Sequence, residues 1–185
     1  MGGKPAVRRI TMAMNYTQEQ IIALARLAAA DCAAACTGPT IRGLNGEKHL
    51  RGKSIKEVAA NNGITVEEAK ALTIDLATAT FDEMSEHWQN VNIESAKGMI
   101  ALLPSFAEGG TDGATVLKTV LAVPDSNVQA RYAAILHDAW LKLPVNSWAL
   151  GGDLDRPFDK LGPEEKAKDV QQLMSLYTWL CSLDV

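Results

Sequence analysis

The sequence predicts a protein that is all-α or nearly so: a compact bundle of six or seven helices, with at most a very short strand pair near 146–158. Three observations predict this class. Apolar residues recur at helical spacing in most segments. Glycine and proline separate these segments, and serine, threonine or aspartate stands where most of the helices would begin. At 185 residues with 47% hydrophobic content, the chain can bury a core without a metal or a disulfide.

The chain divides into a short leading segment and one domain. Residues 1–15 contain glycine and proline with little periodicity, which predicts a flexible N-terminal segment. Residues 16–185 are expected to form a single helical domain. Its first helix is predicted over 17–36, because Thr17 and Gln20 have the spacing of a capping box and an alanine-rich run follows. Apolar residues cover most of its circumference, which indicates a central helix.

The remaining helices follow from the same signals. Ser54 and Thr65 are each followed by glutamate three residues later, which predicts a short helix near 54–61 and a longer one from about 66 to 84. Apolar spacing between proline and glycine breaks predicts the others, at 84–103, 114–123, 126–143 and from 163 to the C-terminus.

Charge and cysteine content restrict the class of partner. A net charge of −4 gives no global attraction to nucleic acid or to an anionic membrane. No window reaches the length of a transmembrane helix, and the odd number of cysteines, 3, favours a reducing compartment. We therefore expect a cytoplasmic protein with no cofactor or metal, and a homo-oligomer is left open. Cys32 and Cys36 share a helix face, but no further ligand lies nearby, so we interpret them as small buried side chains.

A glycine-rich basic segment is the first candidate binding element. Residues 38–53 have no period and are predicted to form a loop. Such a loop can wrap an anion, because backbone N–H groups and nearby cations both attract phosphate. A solvated loop is the alternative, since the spacing of a phosphate-binding P-loop is absent. The predicted anion-binding residues are Arg42, Lys48, Arg51 and Lys53.

Residues 54–77 resemble a helix-turn-helix, which makes a DNA-binding regulator an alternative function. The second helix of that motif presents basic or amide side chains to bases and phosphates. Here its first turn carries Glu67 and Glu68, which a polyanion would repel. We therefore favour a helical hairpin used for packing.

The segment from 137 to 169 carries the most distinctive residues of the chain. His137 and Trp140 are one turn apart on a predicted helix, so their side chains share one face. Aromatic rings can sandwich a base, a guanidinium can meet a phosphate, and a carboxylate can accept from a ribose hydroxyl. We therefore predict a site for a small anionic ligand of the nucleotide type. Its predicted residues are His137, Trp140, Trp148, Asp155, Arg156, Phe158 and Trp88.

Two other interpretations of these residues stay open. In one, Trp140 and Phe158 belong to the core, and Asp155 and Arg156 form a surface pair. In the other, the protein is a phosphoester hydrolase. The hydrolase is the weaker option, because the histidines lack ligand spacing and no serine or cysteine stands in a nucleophile motif. No catalytic residue is assigned. The histidines that the hydrolase would need are His49, His87 and His137.

Several of these motifs match one known family. HDAWL (137–141), the turn at Trp148 and PFDKLGPEEKAKD (157–169) together resemble the ryanodine-receptor repeat (RyR) domain of the stand-alone bacterial and phage type. HWQNVNIESAKGMI (87–100) is similar to the helix that precedes this motif in the family. The resemblance covers about residues 84–180.

The resemblance implies a helical module without an established catalytic apparatus, and so a non-enzymatic protein. It also implies recognition of nucleotide-like ligands in conflicts between phages and bacteria. The expected role is to bind or sequester a nucleotide-derived signal. A phage-encoded copy would do so in the host cytoplasm, as an anti-defence protein.

Overall fold

The computed structural model describes residues 16–36, 38–43, 50–51, 53–144 and 149–184, and the predicted flexible segment at 1–15 lies outside them. The described residues form seven α-helices and a three-stranded antiparallel sheet, which confirms a mainly helical bundle. The helices are α1 (Gln18–Ala35), α2 (Ile55–Asn62), α3 (Val66–Leu72), α4 (Glu86–Ala101), α5 (Gly113–Val120), α6 (Ser126–Trp140) and α7 (Pro163–Ser182). The strands are β1 (Thr40–Gly43), β2 (Leu50–Arg51) and β3 (Thr73–Asp75).

Helix α1 is central, as its all-round apolar pattern indicates. It packs against α7 on one side and against α4 on another. Leu24 and Ala25 are fully buried, and the small alanine side chains allow the neighbouring helices to approach closely. The indole Nε1 of Trp179 on α7 donates a hydrogen bond to the backbone oxygen of Gln20, 2.8 Å away. Helices α1 and α7 therefore form the middle of the bundle, and α4, α5 and α6 surround them.

All three predicted capping boxes are present. At each, the hydroxyl of Thr17, Ser54 or Thr65 accepts from the backbone N–H three residues later, and that residue's side chain accepts from the cap's own N–H. These reciprocal bonds satisfy N–H groups that the first helical turn leaves without partners. Gly63 ends α2 with a φ of +64°, a left-handed conformation that glycine adopts without a steric penalty.

The observed secondary structure corrects three predictions. The segment 38–53 is not wholly a loop, because it contains β1 and β2. The helix expected from 66 to 84 ends at Leu72, where the chain becomes β3. The expected strand pair near 146–158 is wrong for the described residues 149–158, which form turns and the start of a 3-10 helix.

Pairing with β1 explains why the helical pattern gives way after Leu72. Arg42 of β1 is paired with Ile74 of β3, and Ile41 is paired with Leu50 of β2. Ile41 and Ile74 are buried against the helices. Branched side chains favour strands, and the apolar surface that they bury here outweighs the helical periodicity of the local sequence.

Buried polar groups lie along α7, one of them joins this helix to α1, and no sequence pattern indicated them. Ser175 is fully buried, and its Oγ donates to Asp31 Oδ2 on α1 over 2.6 Å. Two turns earlier on α7, the Lys168 ammonium lies 2.8 Å from Glu164 Oε1 and 3.3 Å from Glu165 Oε1. Burying a charge is costly unless it is paired, and each of these groups has a partner.

No helix in the part of the chain that the structure describes combines the length and the apolar character needed to cross a membrane.

Candidate functional site

His137 lies at the meeting point of α6, α7 and the segment 149–158, and only 2% of its side chain is exposed. Its ring stacks on Trp140 with centroids 6.3 Å apart and planes 18° from parallel. Phe158 meets the same ring edge-on at 6.5 Å. The structure therefore brings together three of the predicted site residues, with His137 in the middle.

Both ring nitrogens of His137 face oxygen atoms. Nδ1 lies 2.9 Å from Asp169 Oδ2 on α7, and Nε2 lies 2.9 Å from the backbone oxygen of Arg156. The Nδ1 contact is an ion pair when the imidazole is protonated. Asp169 was not among the predicted residues, since sequence spacing does not indicate which carboxylate α7 places beside α6.

The ionisation of His137 and Asp169 follows from their burial and contact. Burial lowers the pKa of His137, but the Asp169 carboxylate and the Arg156 carbonyl outweigh it and raise the pKa above its ordinary value. Burial raises the pKa of Asp169, and the nearby His137 only partly offsets this. Both groups therefore hold protons more tightly than they would in water.

The side chains of Asp155 and Arg156 lie at the surface. The Arg156 guanidinium is 54% exposed and lies 3.3 Å from Asp153 Oδ1. Asp155 Oδ2 accepts a hydrogen bond from the backbone N–H of Gly151. Arg156 thus contacts the buried rings through its backbone oxygen, and its side chain is directed elsewhere. Trp148, the remaining predicted aromatic residue, lies outside the described residues.

A cleft opens beside Trp140, bordered by α1, α4, α6, α7 and the stretch from β3 to Met84. Its enclosed volume is about 60 Å³, and it opens to solvent at its mouth. Trp88 on α4 and Trp140 on α6 both line it, although 52 positions separate them in the numbered sequence. The other lining residues are Ala28, Ala29, Cys32, Ile74, Leu76, Ala79, Met84, Val91, Asn92, Ser95, Met99 and Gln172.

The cleft combines aromatic walls with neutral polar groups. The side-chain amide of Asn92 donates to the backbone oxygen of Trp88 over 2.9 Å, which fixes its orientation and leaves Oδ1 as an acceptor. Within the described residues, neither Ser95 Oγ nor the Gln172 amide makes a hydrogen bond to another side chain or to the backbone. No Asp, Glu, Lys or Arg is among the described lining residues. The cleft therefore suits a flat, neutral group with polar edges.

Gly43 allows the sheet to pack against Trp88. Its φ is +97°, and a Cβ built there would lie 2.9 Å from Trp88 Cζ2 and 2.5 Å from the backbone oxygen of Leu72. A side chain at this position would displace the indole or the backbone. The end of β1 thus positions one wall of the cleft, which the sequence did not indicate.

The predicted anion-binding residues lie mostly outside the described side chains. Lys48 is outside the described residues, and Arg42 and Arg51 are placed only by their backbone, in β1 and β2. Lys53 lies 3.9 Å from Glu57 Oε1 at the start of α2, and both side chains are about half exposed. The described part of this segment therefore offers one cation that already has a carboxylate beside it.

The residues required for the alternative functions are dispersed. His87 is exposed on α4, His137 is buried, and His49 lies outside the described residues. The described residues contain no group of three or more His, Cys, Asp or Glu side chains that could hold a metal ion. In the 54–77 segment α3 spans only seven residues, and Lys70 pairs with Glu67 at 3.0 Å.

Comparison of the chain with protein-family models, with curated proteins and with solved structures gave no match. The resemblance to the RyR domain therefore stays a prediction.

Proposed function

We propose that this protein is a non-catalytic module that binds a planar heteroaromatic compound of the nucleobase type in the cleft between Trp88 and Trp140. The observation that carries the proposal is the joint lining of one cleft by two indoles and by the polar side chains Asn92, Ser95 and Gln172. Base–aromatic stacking contributes about 1–3 kcal/mol per base. The resemblance to the RyR domain, which implies nucleotide-like ligands, supports the same ligand class.

The charge of the cleft determines which part of a nucleotide would enter it. Without a cation among the described lining residues, a phosphate placed inside would lose its hydration with no compensation. The base therefore enters, and any phosphate stays at the mouth. The sequence prediction placed an anionic group at the centre of recognition, whereas here the base is the part that enters the cleft. A nucleoside and its monophosphate should bind with similar affinity.

Binding without turnover follows from the position of His137. His137 is buried between Asp169 and the Arg156 carbonyl and is not part of the cleft lining. A general base must reach the proton that it removes. We therefore expect the ligand to be released unchanged, as a protein that sequesters a signal in the cytoplasm requires.

Isothermal titration with nucleosides, their monophosphates and cyclic dinucleotides tests the proposal, together with chromatography of the recovered ligand. At a hundredfold excess over its dissociation constant, a true ligand also stabilises the fold by about 2.7 kcal/mol. Trp140→Leu should weaken binding at least about tenfold, because it removes one stacking surface. Ser95→Ala should weaken it less, and the exposed Ser105→Ala, a matched control, should have no effect.

Three results would contradict the proposal. One is that no compound of this class binds to protein whose fold is confirmed by circular dichroism. Another is that Trp140→Leu and Ser95→Ala bind as tightly as the parent. The third is recovery of cleaved ligand, which would establish a hydrolase. Arg156→Ala tests the earlier prediction separately: weaker binding of nucleotides but not of nucleosides would show that this guanidinium contacts the phosphate.

A further inference from the structure

We propose that His137 is a proton-operated clamp that holds the segment 149–158 against α6 and α7, and that loss of one proton from the His137–Asp169 pair releases this segment. The proposal does not depend on what the cleft binds, although Trp140, which stacks on His137, also lines the cleft.

The contacts of His137 determine where its protons must be. The backbone oxygen of Arg156 can only accept, and it lies 2.9 Å from Nε2. Asp169 Oδ2 lies 2.9 Å from Nδ1. Closing both contacts requires one proton on Nε2 and a second proton between Nδ1 and the carboxylate. The imidazole and Asp169 together must therefore hold two protons for the clamp to be closed.

Removing one of these protons breaks one contact. A neutral imidazole has a single N–H, and the other nitrogen presents a lone pair. The Asp169 carboxylate carries a full negative charge, whereas the Arg156 carbonyl is only a dipole, so the remaining proton moves to Nδ1. The Nε2 lone pair then faces the Arg156 oxygen at 2.9 Å, and the two repel each other.

The other charged groups described around His137 and Asp169 cannot replace the proton that is lost. On α6, Asp138 is exposed and favours the protonated ring. On α7, Glu165 and Lys168 act on Asp169 in opposite directions and are paired with each other at 3.3 Å. The charged side chains of α4 and of the 3-10 helix after Pro157 are exposed. The Arg156 guanidinium points to Asp153. No described cation can therefore replace the lost proton.

Beyond this contact, little holds the backbone of the released segment. Its backbone N–H groups make only short-range hydrogen bonds, from Gly152 to Ala149, from Asp155 to Gly152, from Arg156 to Leu154 and from Gly151 to the Asp155 carboxylate. Leu150 is 57% exposed. Buried side chains anchor the two ends of the segment, Ala149 at the near end and Phe158 and Leu161 at the far end, and the residues between them are mostly exposed. Loss of the Nε2 contact should therefore open these local bonds without unfolding the bundle.

Nuclear magnetic resonance of the full chain tests the clamp. Imidazole shifts should show His137 doubly protonated below its midpoint and protonated only on Nδ1 above it. Amide exchange at Gly152, Asp155 and Arg156, corrected for the intrinsic rise with pH, should lose protection about tenfold across that same midpoint. Asp169→Asn should lower the midpoint. His137→Gln, whose amide can still donate to the carbonyl, should remove the pH dependence, and His87→Gln, an exposed control, should leave it unchanged.

Two outcomes would overturn the proposal. One is protection of the three amides that stays constant across the His137 midpoint in the parent protein. The other is a midpoint that Asp169→Asn does not lower. Both measurements use the folded parent or a variant of equal size, so they remain decisive if His137→Gln fails to fold.

Discussion

The Lys168 ammonium is buried against the Glu164 carboxylate, 2.8 Å away, with 5% and 11% of the two side chains exposed. Glu165 lies on its other side at 3.3 Å. Burial lowers the pKa of Lys168, but the two carboxylates outweigh this and raise it above its ordinary value. The lysine therefore stays charged inside the bundle, which makes it the most demanding electrostatic arrangement on α7.

Removing the lysine should destabilise the protein. Lys168→Met removes the ammonium that lies beside two largely buried carboxylates, and we expect it to cost about 3–5 kcal/mol in urea unfolding. Adding Glu164→Gln and Glu165→Leu should recover most of that loss, because the two buried charges are then gone as well. Lys97→Met is the matched control: its pair with Glu94 is about half exposed and should contribute less than about 1 kcal/mol. Equal losses for the two lysines would contradict the expectation.

Trp179 should be the most sensitive aromatic residue. Its side chain is 1% exposed, it packs on Tyr16 with ring centroids 4.7 Å apart, and it donates to Gln20. Trp179→Ala should cost about 3–5 kcal/mol, and Trp179→Phe, which removes the donor but keeps a ring, about 1–3 kcal/mol. Denaturant unfolding followed by circular dichroism measures both. A phenylalanine variant as stable as the parent would show that the indole hydrogen bond contributes little.

Replacement by alanine should change the stability of the protein by very different amounts at two glycines. A Cβ at Gly113, the first residue of α5, would lie 1.6 Å from the backbone oxygen of Leu103. That clash cannot be relieved by a side-chain rotation, so Gly113→Ala should cost about 3 kcal/mol or more. Gly162, which precedes α7, has no atom within 4 Å of such a Cβ, and Gly162→Ala should stay within about 1 kcal/mol of the parent. Thermal unfolding of the two variants distinguishes them.

Global stability should fall with rising pH because of His137. Its pKa is higher in the folded protein than in the unfolded chain, so the folded state holds the proton more tightly. The resulting stabilisation is fully present below the unfolded value of about 6.5 and is lost as the pH rises through the folded value. Urea unfolding across this range should show the decline in the parent and a smaller one in His137→Gln. A rise in stability over the same range would contradict the assignment.

Local signals explain the parts of the fold that the sequence predicted correctly. A capping box such as Thr17 with Gln20, or a proline start such as Pro163, acts within one turn and does not depend on distant residues. The strands were missed because β3 forms only by pairing with β1, and Thr40 and Asp75 are 35 residues apart. No short window of sequence contains that information.

In the candidate site, too, local sequence patterns identified individual residues but not the contacts between distant ones. Trp88 and Trp140 were identified as unusual residues, but their lining of one cleft with Gln172 depends on how three helices pack. His137 was assigned to ligand binding from its one-turn spacing with Trp140. Its contacts with Asp169 and with a backbone oxygen became visible only in three dimensions. Every residue has a backbone oxygen, so the sequence cannot indicate which of these oxygens will accept a hydrogen bond from a distant side chain.

The packing of α1 against α7 has a consequence for biosynthesis. The Trp179–Gln20 bond spans 159 residues, and Ser175 meets Asp31 across 144. Helical proteins with mainly local contacts fold fast, whereas contacts between distant residues slow the search. While the ribosome still holds α7, helix α4 can already pack on α1, but the face of α1 that α7 covers stays in solvent. The bundle therefore closes only after Trp179 has been translated.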